Sequence, residues 1–180
     1  MTSLVLALVL AQAPAPTQPD PQAVDRARSA LLPFKKQLKE TLISAMKTSP
    51  VAAIDVCSKE APAMARDASR DGVTVGRSAF RLRNPENAPR AWLEPVMREL
   101  AGSRPGVDAS KAVALPGGKV GYAEAIFIQP ACLTCHGEAI APPIDAELAK
   151  RYPKDGARGF KEGEFRGVFW AEVEPRPRAP

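Results

Sequence analysis

The sequence predicts an α+β domain: an antiparallel sheet flanked by helices, with a long helical segment at its N-terminal end. Three observations carry this. Apolar residues recur at helical spacing through the first third of the chain. Segments that alternate apolar with polar or small residues begin near Val73 and return up to Glu174. A single C-x-x-C-H motif, Cys132-Leu133-Thr134-Cys135-His136, follows one of those strands in the last third. Helices first and an antiparallel sheet after them is an α+β order.

The elements follow in turn. Asp20-Pro21 is a helix start, a capping residue followed by proline at the first helical position. Val24, Ala27, Leu31, Phe34, Leu38, Leu42 and Ala45 then form one apolar face, with Pro33 inside the run and expected to kink it. Ser49-Pro50 repeats the start signal for a second helix carrying Ala53, Ile54, Cys57 and Ala61, with Pro62 expected to bend or break it near Glu60. Val73 to Leu82 has strand character, and Asn84 to Pro89 is a loop. Arg90 to Ala101 is a third helix with Trp92, Val96, Met97 and Leu100 on one face. Lys111–Leu115 and Lys119–Ile128 form a hairpin around Pro116-Gly117-Gly118. A short helix spans about Ile144 to Tyr152, and Glu164 to Glu174 is the last strand.

At 180 residues the chain supports one domain with one core. Its 45% hydrophobic and 25% charged content is that of a soluble globular protein. The net charge of +5 is spread along the chain, which gives nucleic-acid binding no support. The apolar run Leu4 to Ala11 is too short to span a membrane, and Ala11-Gln12-Ala13 matches a signal-peptide cleavage site. The expected layout is a signal peptide over 1–13, a Pro-rich tether over 14–21, a folded domain over 22–174 and a disordered tail over 175–180. The n-region has no Lys or Arg, and an uncleaved membrane anchor is the alternative.

The motif points to one covalent haem c. Two thiols add to the two vinyl groups of the porphyrin, and the adjacent His136 gives the iron its proximal nitrogen. His136 is the one histidine in the chain. A Cys₃His zinc site would need Cys57 as a distant fourth ligand, and no second C-x-x-C supports it. A redox disulfide of the thioredoxin kind requires a βαβ setting that Pro130 and Gly137 do not provide.

With no second histidine, an intrachain bis-histidine site is excluded. The candidates for the other axial position are Cys57, Met46, Met64 and Met97, or an open site. Cys57 reads equally as a buried core thiol or an intermolecular disulfide partner, and the methionines read as core filling. Arg77, Arg81, Arg83 and Asn84 are candidates to meet haem propionates, against a reading as surface charge. Phe127, Phe169 and Trp170 could wall the haem or belong to the core.

Several strings resemble a known family. They are Ala53-Ile54-Asp55-Val56-Cys57, Val75-Gly76-Arg77-Ser78, Leu82-Arg83-Asn84-Pro85-Glu86-Asn87-Ala88-Pro89 with Trp92, the C-x-x-C-H-G motif, Arg151-Tyr152-Pro153-Lys154-Asp155, and Gly159-Phe160 with Phe165-Arg166-Gly167. Together they are similar to the single-haem c-type, PAS-like domains long catalogued as a domain of unknown function. These occur as stand-alone exported proteins and as sensor modules. The resemblance covers about residues 25 to 174 and implies a PAS-like antiparallel sheet and one covalent haem c. It also implies an axial pair of His136 and Cys57. A thiolate there would favour ferric iron, and its loss could open a site for a gas ligand.

Two functions are expected from this reading. The first is a periplasmic or otherwise exported redox or gas sensor acting through a signalling partner. The alternative is a small periplasmic electron-transfer cytochrome with a redox partner. No G-x-S-x-G, P-loop or paired-carboxylate motif occurs, and peroxidase-type chemistry lacks a free distal histidine, so no enzyme is expected.

Overall fold

The computed structural model describes residues 18–106 and 109–176. The expected signal peptide, and the ends of the expected tether and tail, lie outside the described residues. The long helix α1 spans Pro21–Thr48. Asp20 caps it by accepting the Gln22 backbone N–H at 3.0 Å, so Pro21, assigned to the tether from sequence, is the first helical residue. The expected kink at Pro33 is not a break, because the helix runs on through it. Pro33 stands on the exposed side. Leu31 and Phe34 on either side of it are fully buried, and that packing holds both halves in place.

After a turn at Pro50, the chain continues as α2 (Ala52–Asp55), a wide π turn (Val56–Glu60) and α3 (Ala61–Ala68). The π turn explains how the helix tolerates Pro62. Pro62 cannot donate to the carbonyl four residues back, and its ring would press on it. The helix widens by one residue instead, with the Ala61 N–H donating to the Val56 carbonyl. Cys57 lies in this turn.

Four strands follow: β1 (Val73–Ser78), β2 (Ser110–Ala114), β3 (Val120–Phe127) and β4 (Phe165–Val173). They form an antiparallel sheet in the order β1-β4-β3-β2. The first strand is shorter than the sequence suggested, ending at Ser78. One sheet face, with Val73, Val75, Val120, Tyr122, Ala171 and Val173, packs on α1, the π turn and α3 through Leu31, Phe34, Leu38, Val56 and Met64. The other face, with Ala123, Val168 and Trp170, is covered by α4 (Leu93–Ala101) through Leu93, Val96, Met97 and Leu100. Glycine makes room for tryptophan on that side. A Cβ on Gly76 would lie 2.5 Å from the Trp170 ring, and one on Gly121 would lie 2.7 Å from Trp92.

Beyond the sheet's end come α5 (Leu133–His136) and α6 (Pro142–Arg151). The sheet carries one irregularity. Ile126 pairs with Gly167 and Phe127 with Phe165, so Arg166 is an extra, unpaired residue in β4.

Candidate functional site

A single 3₁₀ turn, Pro130–Cys132, carries the chain from β3 into α5. Cys132 and Cys135 stand one helical turn apart, and all three cysteines are free and half-exposed. Cys132 packs beside Ile128, Ala157 and Phe160. Cys135 packs beside Ile54, Ile144, Leu148 and Tyr152. Gly137 ends the helix, its N–H donating to the Leu133 carbonyl at 2.9 Å. A Cβ there would sit 2.6 Å from that same carbonyl oxygen.

Residues 155 to 160 clasp the motif from one side. The Gly159 N–H donates to the Gly137 carbonyl and the Phe160 N–H to the His136 carbonyl, each at 2.9 Å. His136 Nδ1 lies 2.7 Å from the Ala157 carbonyl oxygen. A carbonyl only accepts, so the proton is assigned to Nδ1 and the lone pair to Nε2. Burial first, then the nearby Arg83 and Arg166 charges, pull the His136 pKa down to about 3. The imidazole is therefore neutral near neutral pH, with Nε2 able to bind a metal. Phe160 meets it edge-on at 6.2 Å.

Arg83 holds this clasp to the motif. Its Nη2 donates to the Cys135 carbonyl at 2.6 Å and to the Ala157 carbonyl at 3.2 Å, and its Nε donates to Asp155 Oδ1 at 3.1 Å. Asp155 also accepts from the Ala157 N–H and from Arg158 Nε, at 2.9 Å each. Burial alone would raise the Asp155 carboxyl, but the Arg83 hydrogen bond and the Ala157 N–H hold it below the usual carboxylate range.

Cys57 is brought to the same end of the fold. Ile54, one turn before it, packs with Cys135 and Tyr152 in one cluster. The π turn is tied to the end of α6: Arg151 Nη1 pairs with Asp55 and donates to Ser58 Oγ at 3.3 Å. Burial pushes the Cys135 thiol up, the Arg83 charge opposes this, and the Cys57 and Cys132 groups add to it. Burial also raises the Tyr152 hydroxyl, with Cys57 contributing next. Cys57 thus lies within electrostatic reach of both Cys135 and Tyr152. Among the described residues no three His, Cys, Asp or Glu side chains gather around one point, which weighs against the Cys₃His zinc reading.

The other residues singled out from sequence divide. Arg83 is not a free surface charge; its hydrogen bonds are committed to the motif and Asp155. The Asn84 side chain accepts the Glu86 N–H at 3.0 Å and caps a 3₁₀ turn. Arg81 is exposed and stacks over Phe160, 3.9 Å from the ring centre. Arg77 lies on the α1 side of β1, in phase with Val73 and Val75, with no ion pair or hydrogen bond among the described residues. Burial pulls its pKa down, while the Cys57 and Tyr152 groups oppose that pull. Met64 and Met97 are core, and Met46 is half-buried on α1. Phe169 and Trp170 are core as well: Phe169 packs edge-on against Phe34 at 5.7 Å, and Trp170 Nε1 donates to Ser78 Oγ at 3.1 Å. Phe127 pairs edge-on with Phe165 at 6.1 Å.

Residue-by-residue reading missed Asp155, Tyr152 and Arg166 as site residues. All three stood inside strings of the family resemblance, and that was the available signal.

The family model described as Tll0287-like matches residues 15–173. Among solved structures, the crystal structure of the cyanobacterial heme-protein Tll0287 is similar with a TM-score of 0.61 and 23% sequence identity. The match covers 89% of this chain and 99% of that one, and it shows a common fold. No curated protein matches the chain significantly.

Proposed function

The chain belongs to the Tll0287-like family of single-haem domains, and on that premise we propose that it is an exported protein with one covalent haem c that senses redox state or a diatomic gas. The description of its structural neighbour as a heme-protein supports haem binding, and this chain's own residues supply the rest of the reading.

The residues fit the group. Cys132 and Cys135 offer two free thiols for the two vinyl groups. His136 offers a neutral imidazole whose ring is fixed by the Ala157 carbonyl, the usual arrangement for a metal-binding histidine. Cys57 would be the other protein group to hold the iron. Arg77 faces the same end of the fold and suits a propionate, whereas Arg83 and Asn84 act as framework. Attachment of a c-type haem outside the bacterial cytoplasm fits the apolar stretch and A-x-A site near the start of the sequence.

The observation that carries the proposal is the His136–Ala157 hydrogen bond, which occupies Nδ1 and leaves Nε2 as the ring's free lone pair, next to the segment bearing both thiols. Iron held there supplies one-electron chemistry and a coordination position open to exchange. A Cys57 thiolate would donate charge to the iron and favour its ferric state. Cys57 sits on a short wide turn tied down by side-chain contacts rather than in a regular helix, which favours a sensor with an exchangeable ligand over a carrier with fixed ones. The role is non-catalytic, and the output passes to a signalling or redox partner.

The test is the pyridine haemochrome spectrum of the purified protein with carbon monoxide titration of its reduced form. Thioether-type haem in the wild type, its loss in Cys132→Ser/Cys135→Ser, and carbon monoxide binding on reduction are expected. An iron that stays six-coordinate and refuses carbon monoxide in both redox states would favour the electron carrier instead.

A further inference from the structure

We propose that Arg166, turned out of the sheet by a β-bulge, and Arg77 on the adjoining strand β1 are the anchors for the two propionate carboxylates of the bound haem. This rests on the haem reading above.

The bulge is the first argument. Side chains alternate along a strand, so in an unbroken ladder residue 166 would share the α4 face with Val168 and Trp170. The extra residue gives that place to Phe165, which packs against the α4 cluster. Arg166 leaves the ladder and lies over the Phe160 ring at 5.5 Å, beside His136. Its Nη1 donates to the Arg81 carbonyl at 3.2 Å. Gly167 makes the bulge possible. Its φ is +152°, and a Cβ there would stand 2.2 Å from the Ser78 carbonyl oxygen.

Charge is the second argument. The Arg83 and Arg77 charges both bear on Arg166, and those of Arg83 and Arg166 bear on His136 of the motif. The one carboxylate among them, Asp155, is already shared by Arg83 and Arg158. Arg158 is paired with Asp145 as well. Arg77 and Arg166 have no carboxylate partner among the described residues. Burial, then Arg83 and Arg77, pull the Arg166 pKa down to about 10. Two unmatched, partly buried cations call for two anions. Haem brings two carboxylates, and a ferric porphyrin core bearing one thiolate is neutral, so the propionates are its whole net charge.

The test compares iron(III) protoporphyrin IX with its dimethyl ester on a Cys132→Ala/Cys135→Ala parent, where neither porphyrin can be bound covalently. A charge-assisted pair of this kind gives about tenfold discrimination or more. The parent is expected to prefer the diacid about a hundredfold, and Arg77→Gln/Arg166→Gln to bind both porphyrins alike. Arg77→Lys/Arg166→Lys should restore much of the preference, and Arg104→Gln, at an exposed arginine beyond α4, should leave it intact. In the covalent holoprotein, Arg166→Gln should shift a propionate bending band in the resonance Raman spectrum. An undiminished diacid preference in the double glutamine variant, or unshifted bands, would overturn the proposal. If the purified wild type carries no thioether-type haem, the haem reading itself falls.

Discussion

Nδ1 of His136 meets the carbonyl oxygen of Ala157 at 2.7 Å, and this contact joins the motif to the loop that precedes β4. The loop can hold the imidazole because Arg83 and Asp155 hold the loop. Arg83 grips the carbonyls of Cys135 and Ala157 together, and Asp155 receives the Ala157 N–H. The orientation of a single ring therefore depends on an ion pair contributed by residues remote in sequence.

The Arg83–Asp155 pair is buried, its side chains 8% and 2% exposed. Arg83→Ala leaves Asp155 with only Arg158 and the Ala157 N–H and strips the Cys135 carbonyl of its donor, and thermal and denaturant unfolding should show a loss on the order of 3 kcal/mol. Acid acts on the same pair. The folded state holds the Asp155 carboxyl below its ordinary value, so its contribution is complete above the usual carboxylate pKa of about 4. That contribution drains away as pH falls from there to the folded-state value. Melting temperature against pH should drop more steeply in the wild type than in Asp155→Asn over that window; parallel curves would contradict this.

Gly167→Ala should be severe. The new methyl would meet the Ser78 backbone oxygen and force a left-handed φ on a residue with a side chain. We expect a loss of about 1–3 kcal/mol or more in unfolding experiments, together with weaker haem retention as Arg166 loses its aim. A variant as stable as wild type would mean that the bulge is not fixed by this glycine.

Arg151 is half-buried and ties Asp55 and Ser58, which flank Cys57, to α6. Arg151→Gln should barely move the melting temperature, because solvent-accessible ion pairs add little. It should increase the high-spin fraction of the ferric protein and speed carbon monoxide binding after reduction. Arg151→Lys should restore most of the wild-type spectrum. Wild-type spectra in the glutamine variant would show that the π turn needs no such tie.

Much of the fold could be read from local pattern. The α1 face was visible in Ala27, Leu31, Phe34 and Leu38, all buried. The hairpin was visible in Pro116-Gly117-Gly118, where Gly117 takes a left-handed φ of +73°. The motif histidine needed only spacing. What escaped depends on contacts between distant segments. Pro62 signalled a disturbed helix, but a break and a π turn satisfy the same missing N–H, and packing against α1 and β1 goes with the second. Arg83 and Arg81 stand two residues apart in one basic string, yet one is a buried strut and the other is exposed. Arg166 follows no local rule, because a bulge is a property of two paired strands.

Cys57 opposite His136 is the central claim, and electron paramagnetic resonance of the ferric protein tests it most directly. The wild type should give a low-spin spectrum with the narrow spread of g-values typical of thiolate ligation, and Cys57→Ser should lose it for a high-spin signal. A low-spin spectrum unchanged in Cys57→Ser would contradict the account.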